Sequence, residues 1–286
     1  MLDGLMPELP EVETVRRGLA PIMEGREFVR VEARRPDLRF PFPDKFAERI
    51  TGTRLLRLGR QAKFLTGELS SGEMLVMHLG MTGRFTIDGT TTADFSHSPN
   101  TNAKHDHVVF HIEGGASVTY NDPRRFGFME IWSVDEFHEY PRLKKLGPEP
   151  LSNNFHADYL NTTLSGKNTP IKTALLDQSI IAGLGNIYVC EALFRAGVSP
   201  KRKAATVAGK RVERLVPAIN AIIAEAIAAG GSSISDFAST DGSLGYFQHG
   251  FDVYDREGEP CKTCGAQIKR LMQSGRSSFY CSSCQR

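Results

Sequence analysis

Two cysteine pairs near the end of the chain, Cys261-Lys262-Thr263-Cys264 and Cys281-Ser282-Ser283-Cys284, constrain its fold more than any other feature. Pairs at this separation match a four-thiolate tetrahedral zinc site, and a shell closed by four sulfurs leaves no position for water, so the metal is structural. The chain between the pairs must return on itself. Residues 267–271 and 277–280 are expected as two strands turning at Gln273-Ser274-Gly275-Arg276, which presents Arg276 from the tip to a phosphate. By itself such a hairpin could equally bind protein or nothing. The fifth cysteine, Cys190, stands apart and reads as a buried thiol, so metal rather than disulfides organises the set.

At 286 residues the chain can form one large or two ordinary domains, each with its own core. A 40% hydrophobic and 24% charged composition is that of a globular protein, and the net charge of +2 discriminates little. The distribution of charge says more. Arg195, Lys201, Arg202, Lys203, Lys210, Arg211 and Arg214 face only Glu213 within their stretch, and Lys262, Lys269, Arg270, Arg276 and Arg286 follow Pro260 with no acid. Such blocks can be solvated faces, but two of them suit a polyanionic partner. Nothing reads as a membrane span or a signal peptide, which leads us to expect an intracellular protein.

Short, partly alternating apolar runs at 28–34, 54–58, 64–69, 74–79, 83–87, 108–112, 117–121 and 127–132 are separated by Gly, Asp, Asn and Pro clusters. They predict an antiparallel sandwich or barrel. The polar stretch 88–102 reads as a surface loop. Past Leu146-Gly147-Pro148-Glu149-Pro150 the period changes to about 3.6, predicting helices at 155–164, 171–178, 187–196 and 207–229.

Three further stretches bear on chemistry. The turn Ala182-Gly183-Leu184-Gly185-Asn186 opens a helix, and a helix start offers unsatisfied N–H groups and positive potential to an anion, with Lys172 one helix earlier adding charge. Asn121-Asp122-Pro123-Arg124-Arg125-Phe126-Gly127 joins two strands; its Arg and Phe could fill a gap in a base stack, or the loop could be an ordinary turn over a buried Phe126. Met81, after His78-Leu79-Gly80, is a second wedge or a core residue. Finally, Met6-Pro7-Glu8-Leu9-Pro10-Glu11 is a good helix entry, with Pro10 in the first turn and acids at the positive end of the helix dipole. Were the chain to start at Pro7, its ring nitrogen would become a secondary amine able to attack a carbonyl-like carbon and form an iminium.

Taken in order, Pro7-Glu8-Leu9-Pro10-Glu11-Val12-Glu13-Thr14, His78-Leu79-Gly80-Met81, Lys104-His105-Asp106-His107, Asp122-Pro123-Arg124-Arg125-Phe126-Gly127, Gly185-Asn186-Ile187-Tyr188, Gly245-Tyr246-Phe247 and the four cysteines resemble the bacterial formamidopyrimidine-DNA glycosylases from residue 6 to the end. The resemblance implies an α+β multidomain fold. A catalytic β-sandwich would span 7–145, a helix-two-turns-helix domain 151–250 with a lesion-capping loop at 232–245, and a zinc ribbon 251–286, after a leader of residues 1–6 that is absent from the active protein. It implies a monomeric bifunctional glycosylase and abasic-site lyase of base excision repair, acting on oxidised purines in double-stranded DNA, with one structural zinc on Cys261, Cys264, Cys281 and Cys284 and no organic cofactor. Pro7 would be the nucleophile, Glu8 a proton donor, Glu11 a support, and Lys63 a proton donor and phosphate contact. His78, Met81, His107, Arg124, Phe126, Lys172, Asn186 and Arg276 would meet DNA, with Met81, Arg124 and Phe126 occupying the vacated stack. A related branch that prefers oxidised pyrimidines shares the architecture; Leu9 and Gly245-Tyr246 favour the purine branch. A chain that kept its leader would be a DNA binder without catalysis.

Overall fold

The computed structural model describes residues 6–88, 102–232 and 247–286. Of these, 6–144 with 229–232 form one compact unit, and 145–228 with 247–286 form a second.

In the first unit the chain enters helix α1 (Leu9–Met23) through Glu8, whose N–H donates to Glu11 Oε2 at 3.0 Å. Pro10 sits in the first turn, where a missing N–H costs nothing. Val12, Val15, Leu19 and Met23 recur along one face and are buried. The strands that follow are β1 (Phe28–Ala33), then, after the short helix α2 (Phe46–Ile50), β2 (Leu55–Gln61), β3 (Phe64–Leu69), β4 (Glu73–His78), β5 (Arg84–Asp88), β6 (Asp106–Ile112), β7 (Ser117–Asn121) and β8 (Phe128–Ser133). They pair antiparallel into two four-stranded sheets, ordered β1-β6-β7-β5 and β2-β3-β4-β8. Phe28, Val31, Val108 and Phe110 of one sheet share a single core with Leu65, Leu75, Met77 and Ile131 of the other and with α1. That is the expected sandwich, held by the apolar face that each alternating strand turns inward.

The second unit holds α3 (Ala157–Leu164), α4 (Ile171–Leu175), α5 (Asn186–Arg195), α6 (Lys210–Ala228) and a hairpin of β9 (Ile268–Gln273) and β10 (Arg276–Cys281). Two expected helices are shorter than their periodicity. Helix α4 ends at Leu175 because Gln178 leaves the helical face to hold the next turn: its Nε2 donates to Leu176 and Leu184 carbonyls, and its Oε1 accepts from Gly183 N–H at 2.9 Å. Helix α6 starts at Lys210, since residues 204–206 form a separate 3-10 turn and Gly209 adopts a left-handed φ of 77°. Apart from Asp88, Asn102 and Ser232, the stretches expected as a polar loop (88–102) and a lesion-capping loop (232–245) lie outside the described residues. No helix among the described residues is long and apolar enough to cross a membrane.

Candidate active site and nucleic-acid interface

Pro7 is buried directly in front of α1. Helix α1 runs antiparallel to β2: Glu13 pairs with Arg60 Nε at 3.3 Å, Arg16 reaches the Leu58 carbonyl, and Gly25 N–H donates to the Leu55 carbonyl. The two-residue turn Ala62-Lys63, closed by the Gln61–Phe64 pair, therefore lies toward the Pro7 end of α1. Lys63 is buried there, as is Glu8. Glu11 is a junction. Its Oε2 accepts from Glu8 N–H, and its Oε1 accepts both the N–H and the hydroxyl of Ser232 at 2.9 Å. Gly231 adopts φ +80°, and a Cβ there would stand 3.2 Å from Glu11 Oε1. The segment entering 233–246 is thus pinned to the first turn of α1, a use of Ser232 that sequence reasoning did not foresee.

A second cluster forms where two turns press together. A Cβ on Gly80 would lie 2.3 Å from the backbone of Phe126 and Gly127, so only glycine permits this approach. Met81 and Phe126 consequently leave adjacent backbone. Phe126 is 40% exposed, and the Arg124 guanidinium carbon stands 4.8 Å from its ring centroid. Asp122, fully buried, sets the loop from beneath: Oδ1 accepts from the Thr82 hydroxyl at 2.6 Å, and Oδ2 accepts from the Tyr120 hydroxyl at 3.2 Å and Gly127 N–H at 2.9 Å. His107 is only 4% exposed and donates from Nε2 to the Asp122 carbonyl at 2.9 Å. Burial lowers its pKa. The structure therefore places His107 behind the loop tip, not on its surface. An aspartate before proline in a turn was the available signal for Asp122.

His78 ends β4, with its Nδ1 accepting from Gly80 N–H at 3.0 Å and its ring stacked on Phe128 at 5.1 Å.

In the second unit Asn186 opens α5 after Gly185, where the helix dipole favours an anion. Its Nδ2 donates to the Ser277 carbonyl at 3.1 Å, which ties the helix start to the hairpin. Lys172 reaches the same carbonyl at 2.7 Å and the Ser278 hydroxyl at 2.7 Å, and is fully buried. Its ammonium, expected to add charge near this helix start, bonds to β10 and does not face solvent. Arg276, the residue before Ser277, is exposed at the start of β10, after a turn in which Ser274 and Gly275 have φ of 50° and 74°. Glu191, on the otherwise apolar face of α5, accepts from the N–H groups of Asp252, Val253 and Tyr254, and burial raises its pKa.

The four cysteine sulfurs lie within 4.8 Å of one another. Burial opposes ionisation of Cys261, but N–H donors from Thr263 and Cys264 carry the thiol down to about 7, while burial beside the other thiols pushes Cys284 up to about 12. Four sulfurs this close cannot all ionise without a cation among them, and the set fits one tetrahedral zinc ion.

Three family descriptions match the chain: the formamidopyrimidine-DNA glycosylase N-terminal domain over residues 6–129, its H2TH domain over 146–238, and the zinc finger found in FPG and IleRS over 258–286. The formamidopyrimidine-DNA glycosylase of Ruegeria pomeroyi is 60% identical over 283 residues, covering 98% of this chain and all of that protein. Among solved structures, the MutM (Fpg) protein of Thermus thermophilus superposes with a TM-score of 0.85 at 39% identity, covering 98% of each chain. The Lactococcus lactis Fpg in complex with DNA containing an abasic site gives 0.86 at 33% identity, covering 98% of this chain and 99% of that one. With its amino-terminal sandwich, its helical unit and its four-cysteine hairpin all matched in order, the chain belongs to the formamidopyrimidine-DNA glycosylase family.

Proposed function

We propose that this chain, once it begins at Pro7, excises oxidised purines from double-stranded DNA and then cuts the strand at the abasic site. The observation that carries the reading is the junction at Glu11, which joins the turn behind Pro7 to the segment entering 233–246. The Pro7 nitrogen attacks the sugar C1′ and the bond from C1′ to the base breaks, with the base leaving protonated. Glu8 delivers a proton to the ring oxygen as the sugar opens, leaving a cationic iminium between Pro7 and C1′. Loss of a C2′ proton then expels the 3′ phosphate, and a second elimination expels the 5′ phosphate.

Lys63 and His78 are donors for phosphates beside a nucleotide turned out of the stack, and Asn186 at the start of α5 and Arg276 are further donors for DNA phosphates. Extruding a base costs a few kcal/mol, so contacts made only in that state favour it. Met81, Phe126 and Arg124 fill the vacated space. His107 and Lys172 act from behind, holding the Asp122 loop and the hairpin. Zinc supplies no chemistry beyond fixing the hairpin. The protein would work in the cytoplasm, on chromosomal DNA.

Residues 1–6 are central to this reading, since an acylated proline nitrogen has no nucleophilicity. The amino-terminal family description matches from residue 6 onward. The test is borohydride trapping on duplexes carrying an oxidised purine. Protein starting at Pro7 should become covalently attached to DNA, and protein retaining Met1 should bind without attachment. Equal trapping of the two would overturn the role of Pro7.

A further inference from the structure

We propose that His78 acts as a neutral hydrogen-bond donor of fixed tautomer, and that Arg142 is a positioning residue that keeps it so. The first half deepens the proposed function, because it rests on His78 being one of the phosphate donors.

The tautomer follows from one contact. Gly80 N–H points at His78 Nδ1 at 3.0 Å, and a backbone amide can only donate. Nδ1 therefore carries no proton, and the single proton of the neutral ring sits on Nε2. A protonated ring would place N–H against N–H and break the contact. The same contact fixes the turn that carries Met81 against Phe126 and Gly127, so losing it would disturb the wedge as well.

The surroundings hold the ring in this state. Phe64, His78 and Phe128 are direct cross-strand partners on β3, β4 and β8, a transverse row in which the imidazole lies 5.0 Å from Phe64 and stacks on Phe128 with ring planes 10° apart. Arg142 packs on this row, its guanidinium carbon 4.4 Å from the Phe128 centroid and 4.5 Å from that of Phe40. It is clamped there by Glu130, which accepts from Arg142 Nη2 at 2.8 Å and also from the Tyr140 hydroxyl. The charged groups facing the imidazole are Lys63 from the β2–β3 turn, Arg39 beside Phe40, and Arg142. All are cations, and Glu130 faces Arg142. Burial first, and these three charges after it, bring the His78 pKa from 6.5 down to about 4. The fold has thus surrounded this histidine with reasons not to become a cation.

A neutral donor has a distinct signature in DNA binding. It contributes a hydrogen bond but releases no counterion, so its loss lowers affinity without altering the salt dependence, whereas losing a cationic contact lowers the slope of log K against log salt by about 0.9.

The direct test is long-range nitrogen–proton correlation spectroscopy on protein starting at Pro7 with nitrogen-15 histidine, followed through pH. His78 should show an unprotonated Nδ1 and a protonated Nε2 down to about pH 5. Arg142→Met should raise its protonation midpoint, and Arg142→Lys should bring it back down. Averaged tautomers, a midpoint at 6.5 or above, or an Arg142→Met midpoint equal to that of the parent would overturn the proposal. Binding to a duplex with a stable abasic-site analogue supplies the second arm. His78→Ala should weaken binding at every salt concentration with an unchanged slope; a slope reduced by about one would overturn the neutral donor. Unchanged affinity of His78→Ala would instead remove the phosphate contact from the proposed function, while the spectrum still decides the tautomer.

Discussion

The loop tip at Arg124 and the hairpin tip at Arg276 each hold an exposed arginine out from a turn, yet different chemistry makes them rigid. Beneath Arg124 lies a buried carboxylate, Asp122, with four donors converging on it, the Arg124 N–H among them, and glycines that let two turns touch. Beneath Arg276 lie a buried ammonium, Lys172, on the Ser277 carbonyl and, further along the hairpin, four sulfurs placed for zinc. A tip inside a sandwich can be fixed by the core already present. A two-stranded hairpin buries too little to fix itself, so it depends on a metal and on one long side chain from a neighbouring helix.

The largest difference should appear on removing zinc or changing Cys264 to Ala. The hairpin should unfold and DNA binding should be lost, while emission from Trp132, in the sandwich, stays nearly unchanged; circular dichroism, bound zinc and fluorescence check this together. Asp122→Ala should act in the opposite sense, costing about 3 kcal/mol in denaturant unfolding because it strands buried donors, with full zinc content retained. Next come the tips themselves. Arg276→Ala should lower the salt slope of DNA binding by about one, and Lys172→Met should weaken binding although Lys172 offers no surface, because the Ser278 hydroxyl loses its donor and the Ser277 carbonyl, which Asn186 also holds, loses one of its own. The smallest effect lies in acid. Burial opposes ionisation of Glu13, but bonds from Arg16 and Arg17 and the charge of Arg60 hold it down to about 2, against an ordinary 4.5. A depressed folded value stabilises above the unfolded one, so this contribution is complete above about pH 4.5 and disappears as pH falls toward 2. Glu13→Gln should therefore lower the stability of the sandwich at neutral pH and flatten its decline in that window, as followed by Trp132 in an acid titration.

Much of this was legible in the sequence because it rests on spacing. The cysteine pairs, the alternating strands and the Gly185-Asn186 helix start each depend on residues close together in the chain. What escaped depends on contacts that close over long separations. Lys172 was expected to add charge beside the start of α5, and nothing local reveals that the carbonyl of Ser277, 105 residues away, accepts its hydrogen bond. The burial of His107, which the resemblance gave as a DNA contact, likewise depends on a partner outside its own strand, the Asp122 carbonyl at the neighbouring strand's exit. Helix α2 has five residues, too few to show a period, and α4 was overextended because Gln178, a good helix former, is taken by the turn it supports.

The central claim is that the Pro7 nitrogen, freed of residues 1–6, is the nucleophile. Its most direct test is to digest the borohydride-trapped complex and locate the sugar remnant by tandem mass spectrometry. The account predicts the remnant on the amine of an amino-terminal Pro7. A remnant on the Lys63 ammonium, or on any peptide that still contains Met6 joined to Pro7, would contradict it.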